Sequence, residues 1–175
     1  MKITAKEITK ELLDRLWNRY LKRVSYANKY VELVTQKGGR IVNDHIALRT
    51  LNTHTGEQPE GIRAIKHILN CLEYSPVAKY KFPKKRLNAT HFEHPDESFP
   101  KIFVSQLEVN QLPNWAQDVI NKTVNDTQYL LSDSAIELLM LLKEEESLTE
   151  EAAGLLVTEL VQYFKRPWKV PFKED

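Results

Sequence analysis

The spacing of apolar residues changes period twice along the chain, and this change constrains the fold more than any other feature. Up to residue 37 the apolar side chains recur every three or four positions. Ile8, Leu12, Leu16 and Tyr20 make one stripe with Leu13 and Trp17 beside it, while Lys6, Glu7, Lys10, Arg15, Arg19 and Lys22 cover the other side. A helix gathers such a stripe on one face. A shorter helix is predicted around Tyr30, Val31 and Val34, ending at Gly38–Gly39 because glycine takes the left-handed C-cap without strain. Helices are thus predicted over 5–37.

Over Ile41 to Leu51 (IVNDHIALRTL) the residues turn β-branched and alternate. Ile46, Leu48 and Thr50 then point one way along a strand, and His45, Ala47 and Arg49 the other. Gly56 and Pro59 mark a turn. Ile62, Ile65, Leu69 and Leu72 predict a helix of about three turns. Three further strands are predicted at Tyr74–Phe82, Leu87–His94 and Lys101–Val109, punctuated by Pro83, by Lys84-Lys85-Arg86 and by HPDESFP. The order over 41–109 is therefore strand, helix, strand, strand, strand.

The segment 113–165 returns to helical spacing. One helix is predicted from Pro113 to Thr123. Ala135 to Leu142 is apolar nearly all round and is predicted to be buried. A third helix is predicted from near Ser147 or Thr149, where Glu150 and Glu151 suit the positive end of the dipole, to about Phe164 before Pro167. The tail KVPFKED is polar and reads as a linker or a cut end. The expected class is α+β: one domain over 1–175, with a mixed or antiparallel sheet exposing the His45/Arg49 face and helices from both chain ends packed around it.

Composition narrows the function classes. The 175 residues are 42% apolar and 28% charged, enough for a packed core. A net charge of +1 gives no electrostatic case for binding nucleic acid or a membrane surface. Cys71 is the sole cysteine, which excludes an internal disulfide and a thiolate zinc cluster. MKITAKEITKELL lacks the apolar core of a signal peptide, and no apolar run approaches the ~18 residues of a membrane span. The expected setting is soluble, reduced and cytoplasmic.

The richest stretch is Asn43-Asp44-His45-Ile46-Ala47-Leu48-Arg49-Thr50. An unpaired buried guanidinium is costly, so Arg49 needs an anion or water. One reading pairs Arg49 with a structural carboxylate and makes His45 a satisfied core histidine. The other makes His45 a metal-binding imidazole and Arg49 an anion binder on the same face, their Cα atoms ~13 Å apart at ~3.3 Å per residue. Glu108 ends the last strand; either it approaches His45 across a shared cleft as a metal ligand, or it is a solvated or salt-bridged strand end. His91 and His94, three apart, fall on opposite faces of a strand and cannot grip one ion. His54 and His67 read as solvated, and Cys71 as a small core residue beside Leu69 and Leu72. The Lys79, Lys81, Lys84, Lys85, Arg86 cluster, interleaved with Tyr80 and Phe82, reads as a solvated hairpin.

A strand–helix–strand–strand–strand module opening with DHIALRT resembles the vicinal oxygen chelate superfamily, with its glyoxalase-like βαβββ units. The chain more closely resembles the N-terminal part of the 2-oxoadipate dioxygenase/decarboxylase (hydroxyglutarate synthase) family. NDHIALRT at 43–50, LNATHFEHPDESFPKIFVSQLEV at 87–109, the apolar helix at 135–142 and LVQYFKRPW at 160–168 carry the likeness. The resemblance implies an Fe(II) centre of two histidines and a glutamate that oxidises a 2-oxo dicarboxylate with O₂ and releases CO₂. It matches His45 to the first ligand and Arg49 to the arginine that binds a substrate carboxylate. It also places the second histidine and the glutamate in a second module beyond the matched region, so the chain is expected to be part of a longer two-module protein, or one able to form a homodimer across the open sheet face. A non-catalytic scaffold of the same fold, and a glyoxalase-type isomerase or lyase using Glu108 with His45 and a partner chain, are the competing expectations.

Overall fold

The computed structural model describes residues 1–53, 60–125, 131–166 and 168. The predicted turn at Gly56 and Pro59, the reading of His54, the stop at Pro167 and the polar tail lie outside the described residues.

The chain opens with a short strand, β1 (Lys2–Thr4), followed by α1 (Ala5–Arg23) and α2 (Ser25–Gln36). Thr4 caps α1 in a capping box: its side chain accepts from the Glu7 amide while the Glu7 carboxylate accepts from the Thr4 backbone N–H at 2.8 Å. Gly38 ends α2 with φ of +76°, and the Gly39 N–H reaches back to the Val34 carbonyl, as the glycine pair predicts.

The middle follows the predicted order: β2 (His45–Leu51), α3 (Gly61–Cys71), β3 (Ser75–Phe82), β4 (Leu87–Glu93) and β5 (Lys101–Leu107). These strands form one mixed sheet in the order β2-β5-β4-β3, with β5 returning parallel to β2. The first strand starts at His45 rather than Ile41, because the ladder runs out. Lys101 donates its N–H to the Asp44 carbonyl, and before it stands Pro100, which has no N–H to give. The last strand ends at Leu107 rather than Val109, which begins a 3₁₀ turn, Val109–Gln111.

The helical end comprises α4 (Asn114–Asn125), α5 (Asp133–Glu145) and α6 (Glu150–Tyr163), with β6 (Ser147–Thr149) between the last two. Thr149 caps α6, its hydroxyl accepting from the Ala152 amide. β6 pairs antiparallel with β1, a contact that the sequence did not announce, since three residues carry no measurable period. The pairing joins the two chain ends and seats α1 against α6.

One apolar core fills the space between these helices and one face of the large sheet. Phe92, Ile102 and Val104 from the sheet meet Ile65, Ile68 and Leu69 of α3, Ile8 and Leu12 of α1, and Leu139, Leu142, Leu156 and Leu160 of α5 and α6. The prediction that Ala135–Leu142 is buried all round needs correction. Ala135, Leu139 and Leu142 are enclosed, but Ile136, Met140 and Leu141 are 40%, 53% and 44% exposed, so α5 packs along a single stripe. Cys71 is buried as predicted, and its burial pushes the thiol pKa up. His67 and the Lys84-Lys85-Arg86 turn are exposed as predicted.

Candidate active site

The strand alternation puts His45, Ala47 and Arg49 on the face of the sheet turned away from the core, and all three are exposed. This decides against His45 as a core histidine. The ladder arranges that open face in rows. His45 stands beside Lys101, Ala47 beside Phe103 and His91, Arg49 beside Ser105 and Ala89, and Leu51 beside Leu107 and Leu87. Aromatic residues of β3 border it, with Tyr80 packed against Phe103 at 5.5 Å between ring centres.

His45 Nδ1 lies 2.9 Å from the Asp44 carboxylate, and this contact holds the Asp44 carboxyl below the usual carboxylate range. A carboxylate on Nδ1 favours the tautomer with its proton there, which makes Nε2 the acceptor atom of the ring. Among the described residues Arg49 meets no carboxylate: its Nη1 donates to the Ser105 hydroxyl at 2.9 Å, and the side chain is exposed.

A polar chain continues across the sheet from the His45 row. Lys101 binds the Glu93 carboxylate at 2.5 Å, which holds the Glu93 carboxyl below its ordinary value. His91 Nε2 lies 3.4 Å from Glu93, and its Nδ1 lies 2.8 Å from the Tyr80 hydroxyl. His94 lies past the strand end on the core side, wedged between Tyr74 and Phe99, its Nδ1 accepting the Asp96 N–H. His91 and His94 therefore do not converge, as their spacing predicts.

Among the described residues Glu108 is neither near His45 nor a solvated or salt-bridged strand end. The register pairs His45 with Lys101, seven positions before Glu108, so the two lie on the order of 20 Å apart. The Glu108 carboxylate is buried and accepts side-chain amide N–H groups from Asn52, Asn88 and Gln106 at 2.8, 2.7 and 2.8 Å. Gln106 in turn accepts the Ile62 N–H at the start of α3, and Asn52 accepts that of Val109. Glu108 thus ties the ends of three strands to a helix, and the cleft shared with His45 does not form.

Among the described residues no group of three or more His, Cys, Asp and Glu side chains could hold a metal ion. His45, steadied by Asp44, fits as one ligand, but the described residues bring no second donor to it. Sequence reasoning overlooked two residues of this face, Asp44 as the partner of His45 and Ser105 as the partner of Arg49. Adjacency could have suggested the first. The second depends on parallel register, which has no local signature.

A four-stranded βαβββ sheet with one covered face and one face bearing histidine and arginine defines a glyoxalase-like module. The chain belongs to the 2-oxoadipate dioxygenase/decarboxylase family, whose profile matches residues 12–174. It is 29% identical over 133 residues to the chloroplastic 2-oxoadipate dioxygenase/decarboxylase of Arabidopsis thaliana, covering 69% of this chain and 35% of that protein. The chloroplastic/amyloplastic counterpart of Oryza sativa subsp. japonica is 32% identical over 116 residues, 60% of this chain and 31% of that one. Among solved structures, a glyoxalase-superfamily protein from Ralstonia eutropha JMP134 superposes with a TM-score of 0.90 at 28% identity, covering 99% of this chain and 55% of that chain. Hydroxyglutarate synthase from Oryza sativa in complex with 2-oxoadipate superposes with a TM-score of 0.61 at 24% identity, over 81% of this chain and 45% of that one, and supports the fold. The chain spans about a third of the length of the curated relatives it matches.

Proposed function

We propose that this chain supplies a metal-binding histidine and the substrate arginine to an Fe(II)-dependent dioxygenase/decarboxylase. The substrate is a 2-oxo dicarboxylic acid such as 2-oxoadipate, which reacts with O₂ to give 2-hydroxyglutarate and CO₂. The observation that supports this reading is the pairing of His45 and Arg49 on one open face, two strand positions either side of Ala47.

In this reading His45 offers Nε2 to the iron while Asp44 holds Nδ1 and fixes the ring plane. Arg49 binds the carboxylate remote from the reacting 2-oxo acid end through its planar fork, which grips both oxygens at once. The ~13 Å between their Cα atoms leaves room for the substrate between them. A bound iron would supply the chelating Lewis acid and the O₂ chemistry, and its remaining ligands come from outside the described residues. The open face has to be covered to keep water from the reacting groups, either by a further module or by a second copy of the chain.

The test is O₂ consumption and CO₂ release with Fe(II) and 2-oxoadipate by the full-length protein that carries this chain. His45→Ala should abolish turnover, and Arg49→Ala should chiefly raise KM. The 175-residue polypeptide by itself should bind Fe(II) weakly and show no turnover. Full activity in the His45→Ala variant would remove the metal assignment and favour a scaffold of the same fold.

A further inference from the structure

We propose that Ser105 is the positioning residue for Arg49, setting the discrimination between a 2-oxo acid with a second carboxylate and one without. This deepens the reading above and rests on Arg49 as the carboxylate binder. Ser105 is 3% exposed and sits directly across the parallel ladder from Arg49. Its hydroxyl oxygen accepts from Arg49 Nη1 at 2.9 Å and lies 3.4 Å from the Leu48 carbonyl, to which its own proton points. The proton is thereby directed to backbone, so the lone pairs face the guanidinium.

Two consequences follow from a hydroxyl in this place. An exposed arginine otherwise explores many rotamers, and a single buried acceptor at its root restricts them before any ligand arrives. A carboxylate at position 105 would restrict the side chain equally well but would neutralise it and compete with the substrate anion. A serine tethers the fork and leaves its charge available. Small side chains adjoin the pair on this face: Ala47 is the one β2 residue of the face between His45 and Arg49, and Ala89 lies beyond Ser105 in the same row, while Phe103 stands beside Ala47. A small, neutral, buried acceptor preorganises a cation for a ligand that reaches along the strand.

The experiment compares 2-oxoadipate with 2-oxohexanoate, which has a methyl group where 2-oxoadipate carries its second carboxyl. Both are titrated calorimetrically into the Fe(II)-loaded full-length protein, and KM and kcat are measured wherever turnover is detected. Ser105→Ala removes one oxygen atom and should weaken 2-oxoadipate binding and raise its KM about three- to tenfold, with kcat within about twofold and 2-oxohexanoate unchanged. In an Arg49→Ala background the same substitution should add nothing, since the interaction it removes is already gone. Equal losses on both acids, or a Ser105→Ala effect that persists without Arg49, would overturn the proposal and leave the role of Arg49 intact. An Arg49→Ala variant that fails to distinguish the two acids would overturn the reading of Arg49 itself, and this proposal with it.

Discussion

On the helix-covered face of the four-stranded sheet, Phe92, Ile102 and Val104 have almost no contact with solvent, whereas at alternate positions on the other face His45, Ala47 and Arg49 are open to it. The same backbone hydrogen bonds hold both sets. The covered face is built from residues whose only contribution is to exclude water, and its neighbours on α1, α3, α5 and α6 are chosen likewise. The open face carries imidazoles, a guanidinium, a carboxylate and an ammonium, tied to one another by polar contacts and bordered by the packed rings of Tyr80 and Phe103. Stability and chemistry are thus assigned to opposite sides of one sheet. Substitutions on the two sides should separate cleanly in what they damage.

The largest effect on stability should come from the covered face. Phe92 is completely enclosed, and Phe92→Ala should cost about 3–5 kcal/mol through lost burial and the cavity left behind. Urea unfolding measures this directly, and a loss under about 1 kcal/mol would mean that the face is not the core of the fold.

Next comes the junction of sheet and helix. Gly61 has φ of +58°, and a Cβ there would lie 2.0 Å from Gln106 Oε1, the atom that accepts the Ile62 N–H. Gly61→Ala therefore combines left-handed strain with the loss of a helix-start hydrogen bond, for about 2–3 kcal/mol. Glu108→Gln should cost about 1–2 kcal/mol, because it turns an amide group toward three amides that all need an acceptor. Wild-type stability in Glu108→Gln would show that the cluster does not hold the strand ends.

A smaller effect, dependent on pH, belongs to the edge of the structure. Lys6 on α1 binds Asp96 at 2.5 Å, and with Ser98 it holds the Asp96 carboxyl well below its ordinary value of 3.8. A depressed folded-state pKa stabilises the fold above the unfolded value, and this support disappears as pH falls below about 3.8 toward the lowered value. Lys6→Ala should therefore raise the midpoint of acid unfolding slightly, and high salt should shrink the difference, since the pair is exposed. An unchanged acid midpoint in Lys6→Ala would show that the pair does not tie α1 to the segment after β4.

Much of this division was legible in the sequence, and where it was not the reason is physical. Alternation at Ile46, Leu48 and Thr50 against His45, Ala47 and Arg49 identifies both faces of β2 from the sequence, because side-chain period in a strand is fixed at two. The glycine pair at 38–39 and the threonine at 149 marked helix ends for equally local reasons. What failed was non-local. Neither alternative for Glu108, a ligand beside His45 or a solvated or salt-bridged strand end, holds: strands β2 and β5 are neighbours, but the register that separates the two residues is set by the whole ladder. The three amides around Glu108 come from positions 52, 88 and 106, a convergence that no spacing rule announces. Apolar composition likewise overstated the burial of α5, since composition reports what a helix can bury and not which neighbours reach it.

The smallest expected change in stability is the sharpest test of the comparison. The His45 side chain is 63% exposed and its partner Asp44 more so, so His45→Ala uncovers no core and strands no buried group. Arg49→Ala removes a donor from Ser105, but that hydroxyl keeps its contact with the Leu48 carbonyl, and nothing buried is left without a partner. Both variants should unfold in urea within about 0.5 kcal/mol of the parent chain, as surface substitutions without a special contact do. The same substitutions are the ones expected to abolish or weaken turnover. If either lowered stability by more than about 1.5 kcal/mol, the open face would be part of what holds the sheet together, and any loss of activity there would no longer speak for chemistry.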